Sequence, residues 1–115
     1  MHNTHQIEEV PKWAKSILNN VYEALSKLEI HGDSSNIKRN LIRILDEFEE
    51  QGLIIENPIN QDYNETRTDL EATIVGAETD NLYVTEVIKP IIRFTNGTVS
   101  KVVQKGIVVV ESKEK

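Results

Sequence analysis

The sequence predicts an α+β protein in which the two classes are segregated along the chain. Three observations carry that expectation. Apolar residues recur at helical spacing up to Gly52. Beyond it, β-branched residues crowd into short runs. Glycines and an Asn-Gly pair punctuate the joins. The expected architecture is an N-terminal antiparallel helix pair, able to form a four-helix bundle on dimerisation, followed by a small, mostly-β domain of about five strands.

The segments divide as follows. Residues 1–10 are polar and acidic and are expected to be disordered. Residues 11–52 form a helical dimerisation segment. Pro11 suits the first position of a helix, because its missing N–H would have no partner there. Ala14, Ile17, Leu18, Val21, Leu25 and Leu28 then fall on one stripe, which Tyr22 and Ala24 widen. His31-Gly32 should end this helix. Asp33, Ser34 and Ser35 offer N-caps for a second. There Ile37, Leu41, Ile44, Leu45 and Phe48 repeat as a stripe, and Gly52 closes it. Asp46, Glu47, Glu49 and Glu50 gather at the end where the helix dipole disfavours acids, and read as a solvated face.

Residues 53–112 form the β-rich, partner-binding domain. Leu53–Glu56 reads as a short strand, Asn57–Asp69 as a polar loop, and Ala72–Val75 as a second strand. Glu78–Asn81 is a turn, and Leu82–Lys89 a third strand. Asn96-Gly97, flanked by Ile91–Thr95 and Thr98–Val103, signals a type I′ hairpin with positive φ at both centres. Pro90 marks an edge position or a kink. Gly106 precedes a last strand, Ile107–Val110, and residues 111–115 should fray. Leu45 and Ile74 are expected in the core.

Composition narrows the function. The chain has 115 residues, 38% of them hydrophobic and 5% aromatic, so Ile, Leu and Val must build a thin core that a partner subunit would complete. A net charge of −6 opposes binding to nucleic acid or an anionic membrane. No cysteine is present, which removes disulfides and thiolate chemistry. No signal peptide or membrane span is read, and the cytoplasm is the expected location. His2, His5 and His31 do not make a metal set. The serines have no histidine beside them, and the five glycines are isolated, so no phosphate loop forms. The expectation is a protein that is not an enzyme and needs neither cofactor nor metal. Trp13 is expected to anchor the first helix against a neighbour, with a partner anchor as the alternative.

The order of motifs resembles a known family. Ile17-Leu18-Asn19-Asn20-Val21-Tyr22-Glu23-Ala24-Leu25 resembles the "V-L-D-N-L-E-R-A-L" helix of GrpE-type nucleotide exchange factors. Ile44-Leu45-Asp46-Glu47-Phe48-Glu49-Glu50-Gln51-Gly52-Leu53 is similar to their "L-L-D-V-L-E-K-x-G-V" stretch. Tyr63-Asn64 stands where the family has "F-D-P", and Leu70-Glu71-Ala72 where it has "H-E-A". Val75, Glu78–Asn81 and Val84–Val87 resemble its "V-x-x-x-D-D…V-V-E-V" run, and Gly106–Ser112 its closing "A-K-V-V-V-S". The resemblance spans Trp13–Ser112. It departs where the family has a long paired helix before the first motif, a proline (here Glu65), a histidine (here Leu70), "K-G-Y-R-L" (here Lys89–Phe94) and an arginine after the hairpin turn (here Thr98).

The resemblance implies a homodimeric cochaperone, tied to protein folding and the stress response, that binds the ATPase domain of a DnaK-type chaperone and promotes ADP release. It implies Tyr63, Ile88 and Val110 as partner-binding positions. Arg93 and Lys101, flanking the turn, are candidates to replace the missing arginine. Leu18, Val21, Leu25, Leu41, Ile44 and Phe48 are the expected dimer interface. The alternatives are a dimeric adaptor on the same fold without exchange activity, or a winged-helix-like nucleic-acid binder, which the charge opposes.

Overall fold

A computed structural model describes residues 10–113. The expected disorder of residues 1–10 therefore lies, Val10 apart, outside the described residues, as do His2 and His5. The described chain is α+β, two helices followed by a β-rich region: α1 (Lys12–His31), α2 (Lys38–Glu50), β1 (Leu53–Glu56), β2 (Asp62–Tyr63), β3 (Leu70–Val75), β4 (Leu82–Lys89), β5 (Ile91–Asn96), β6 (Val99–Gln104) and β7 (Gly106–Ser112). There are thus seven strands rather than about five. Short β2 lies inside the expected loop, and β3 starts two residues early.

The chain divides into two compact units. The first holds residues up to Ile55 together with Arg93–Lys101, and the second holds Glu56–Ile92 and Val102 onwards. The division groups β1 and the hairpin tip with the helices, instead of falling at the change of periodicity near Gly52.

In the first unit α1 packs on α2. Pro11 stands one place before α1, as its N-cap, with extended backbone. Gly32 ends α1 by donating its N–H to the Leu28 carbonyl. Asp33 caps α2 from a distance: its carboxylate accepts the N–H groups of Ile37 and Lys38 at 2.7 and 2.8 Å. That satisfies two of the otherwise orphaned donors at a helix start, and Ser34 and Ser35 are not needed for it. Ala14, Leu18 and Val21 are buried on α1, whereas α2 buries no residue. Leu45 is only half-buried, which corrects its assignment to the core. Trp13, expected to be covered, is 63% exposed. It sits on the edge of a stripe wider than the surface that covers it.

Gly52 joins α2 to β1 at φ +91°, and its carbonyl accepts the Thr95 N–H of β5 at 2.8 Å. A Cβ there would collide with the Thr95 carbonyl and press on the Phe94 ring at 3.1 Å. The hairpin turn is centred on Gly97-Thr98, one residue later than expected. Only Gly97 has positive φ, 67°, the pattern of a type II′ turn, and Asn96 is still strand.

In the second unit the sheet order is β2-β4-β7-β3, with β3 parallel to β7 and the other pairs antiparallel. Strands β1-β5-β6 form a separate sheet, and Pro90 stands where the chain leaves the first sheet for the other. The core is Leu70, Leu82, Val84, Ile91, Val108 and Val110, flanked by Tyr63, Ala72, Val87 and Val102. Ile74, expected within it, is 43% exposed, because β3 is an edge strand covered over little more than its first residues. The end does not fray from residue 111: β7 runs to Ser112, whose hydroxyl donates to the Asp80 carbonyl, and the Lys113 N–H donates to that of Asn81.

The junction gives a direct test. Gly76 also has a positive φ, 99°, but open space around it. Gly76→Ala should cost about 1 kcal/mol of backbone strain. Gly52→Ala should cost about 3 kcal/mol, because overpacking adds to the strain. Urea midpoints measure both, and equal losses would mean that Thr95 and Phe94 yield to the methyl group.

Candidate functional site

The β-domain candidates depend on how β4 alternates. Leu82 and Val84 point into the core, two apart, as a strand requires. Strict alternation would next bury Glu86. Instead β4 skips: Val84 pairs with Val110, Glu86 with Val109, Val87 with Val108 and Lys89 with Ile107. Thr85 and Ile88 have no counterpart in β7, so each is the extra residue of a β-bulge. The first bulge shifts the parity and brings Val87 rather than Glu86 onto the core. The second brings fully buried Pro90 inward and leaves Lys89 outside. Thr85 turns its hydroxyl to the Val109 carbonyl and the Glu111 carboxylate, both at 3.3 Å. Ile88 has no such occupation and stands 57% exposed.

Tyr63 lies at the other end of the same strand. It pairs with Leu82 and is half-buried against the core. Ile88 is six residues further along β4, about 20 Å at strand rise. The two therefore do not form one contact patch. Val110 is fully buried opposite Val84. That corrects its reading as a partner-binding residue: a strand central in its sheet spends this side chain on the core.

Arg93 and Lys101 belong to the first unit. Arg93 is half-buried and already engaged within the chain, and Lys101 is exposed. Of the expected dimer interface, Leu18 and Val21 are buried within the single chain, 0% and 5% exposed, and are corrected to internal packing. Leu25, Leu41 and Phe48 are half-buried, and Ile44 is 39% exposed. The exposed large apolar side chains of the helical region are Trp13, Ile17, Ile30, Ile37, Ile42 and Ile44.

Sequence reasoning missed the residues that fix Tyr63. Arg67 holds Asp69 with two parallel bonds, Nε to Oδ1 at 3.0 Å and Nη2 to Oδ2 at 2.9 Å. Its Nη1 donates to Gln61 Oε1 and to the Asp62 carbonyl. This fork organises the segment read as a plain loop. Lys113 then reaches Asp62 at 2.8 Å and lies 5.9 Å from the centre of the Tyr83 ring. A lone arginine amid acids and amides was the only signal, and the Lys113 partner lies 51 residues away.

No helix among the described residues is long and apolar enough to cross a membrane. No protein-family model matches the chain, and no curated protein or solved structure matches it.

The Lys113 hydrogen bond, and then its charge, hold the Asp62 carboxyl below the ordinary aspartate value. A depressed carboxylate adds stability above its unfolded-state pKa and loses it as pH falls through the folded-state one. Lys113→Met should therefore raise the Asp62 titration midpoint, followed by carboxyl NMR. An unmoved midpoint would mean that the pair does not persist in solution.

Proposed function

We propose that the protein is a GrpE-like nucleotide exchange factor, a homodimer that binds the ATPase domain of a DnaK-type chaperone in the cytoplasm and promotes ADP release. The observation that carries this reading is Ile88. A β-bulge turns a large apolar side chain to solvent on a strand otherwise spent on its own core. It falls at the position where the family resemblance implies an apolar partner contact. Its exposure leaves the side chain open to a partner, and its place on a strand fixes where it stands. Tyr63 contributes chiefly by supporting the module, and Arg93 and Lys101 contribute charge from the hairpin.

The chemistry requires no catalytic side chain. A factor that binds the open, nucleotide-free chaperone better than the closed form must weaken nucleotide affinity by the same ratio. Each tenfold effect corresponds to about 1.4 kcal/mol of coupling.

Release of a fluorescent ADP analogue from a DnaK-type chaperone tests the reading. Wild type should accelerate release. Ile88→Asp should weaken chaperone binding about thirtyfold, as loss of an apolar anchor worth 2 kcal/mol or so. Lys101→Ala should change it only a few-fold, since exposed charges contribute little. Binding without acceleration would favour the adaptor reading, and absence of binding would remove the chaperone as partner.

Self-association is part of the same proposal. Trp13 and Ile17 on α1, Ile37 just before α2 and Ile44 on it are 39–63% exposed. A second copy would cover them. Sedimentation equilibrium at micromolar concentration should give a dimer, and Ile44→Glu should shift it to monomer. A wild-type monomer would leave these faces to another partner.

A further inference from the structure

Strand β3 is the outer strand of the second unit's sheet. It is bonded to β7 on one side, and among the described residues no strand pairs with the other. Proteins commonly blunt such an edge with lysine, proline or a bulge. Strand β3 has none of these: its register with β7 is unbroken from Leu70 to Val75, and its one charge is Glu71. Its second half, Thr73-Ile74-Val75, is uncharged, β-branched and exposed. The ladder fixes which backbone groups are open. The Gly106 N–H donates to the Asp69 carbonyl, so Asp69, and at strand period Glu71, Thr73 and Val75, turn their backbone groups toward β7. Ala72 and Ile74 turn theirs to the open edge.

We propose that this edge pairs with β3 of a second copy, antiparallel about a two-fold axis at Thr73. Ala72 of each copy then stands opposite Ile74 of the other, and each such pair exchanges both backbone bonds. The alternatives are poorer. A centre between two residues sets outward groups against inward ones. A centre at Glu71 sets the two carboxylates face to face, which like charges disfavour. A centre at Ala72 or Ile74 shortens the overlap. The centre at Thr73 keeps each Glu71 beside Val75 of the other copy. Leu70 and Ala72 share the core-side face, and so does Ile74, two residues on. On that face each Ile74 lies beside the small Ala72 of the other copy, which leaves room for it. On the opposite face the two Thr73 side chains meet, a favourable cross-strand pair. The contact uses the second unit alone, whereas the helices proposed to associate belong to the first, so the two readings can fail separately. Two strands of six residues bury less than the about 1,200 Å² of a stable interface, so pairing sets in at a higher concentration than the helix contact.

The chain contains no cysteine, so introduced ones report without background. Opposed residues of a pair that is not hydrogen-bonded stand about 4.5 Å apart at Cα, within reach of a disulfide. Thr73→Cys, Glu71→Cys and Val75→Cys proteins, each checked for fold by circular dichroism, are oxidised mildly at submillimolar concentration. Thr73→Cys alone should give a disulfide dimer. Glu71→Cys and Val75→Cys should cross-link when mixed and not when alone. No disulfide from Thr73→Cys overturns the proposal, and so does a yield from Glu71→Cys alone that equals it. Adding Ile74→Lys sets a long charged side chain at the contact and should cut the Thr73→Cys yield about tenfold; an unchanged yield overturns the pairing. Adding Ile44→Glu should leave the yield as it was. A yield that collapses with Ile44→Glu means that the helix contact alone brings the copies together, and also overturns it.

Discussion

The β-domain depends on a mismatch in length between β4 and its neighbour β7. Strand β4 must deliver Leu82, Val84 and Val87 to one core, and Pro90 to a buried place just beyond it. Those positions are spaced 2, 3 and 3, while a regular strand allows only even steps. Two unmatched residues resolve the conflict. Without them, Glu86 would face Val108 and Val110 in an apolar interior, which an unpaired carboxylate tolerates only at large cost. The exposed Ile88 is thus a by-product of correct packing. Had β4 alternated regularly after its first bulge, Lys89 would point inward and Ile88 would lie flat in the ladder.

The same strand explains why the surrounding polar contacts exist. Its other edge is covered only by β2, two residues long, extended by the bonds from Asn60 N–H to the Val84 carbonyl and from Val84 N–H to the Gln61 carbonyl. So short a partner strand does not hold itself in place. The Arg67 fork fixes the segment from one side and Lys113 ties Asp62 from the other. The Arg67 and Lys113 contacts together hold the segment that carries Tyr63 against the edge of β4.

Helix positions were legible because their signals are local. The 3.6-residue stripe and the glycines at 32 and 52 mark α1 and α2 to within a few residues. Strand positions were mostly legible for the same reason. The bulges were not, because Thr85 and Ile88 become extra only when set against β7, which arrives some twenty residues later. Strand β2 has too few residues to show a pattern. Burial was the least legible quantity. A stripe says which residues prefer to be covered, not how much cover the chain supplies, and so Trp13 and Ile74 are exposed although both are apolar at patterned positions. Val110 failed in the opposite sense: resemblance suggested a surface contact where alternation along β7 puts a core residue. The Asn-Gly pair placed the hairpin correctly, but the turn took the glycine as its first centre, the one place where positive φ was needed.

The remaining question is why α2 is a helix at all. Thirteen residues are marginal as an isolated helix, and here the charges oppose the dipole as well. Asp33 offsets part of that by capping, and Leu41, Leu45 and Phe48 gain partial cover. No residue of α2 is fully buried, so its stability within one chain comes from an incomplete contact. A helix in that condition gains from whatever covers its open side. Binding of the covering surface then stabilises the folded helix by mass action. Any association through that side and the order of α2 are therefore coupled, because whatever covers the helix also stabilises its fold.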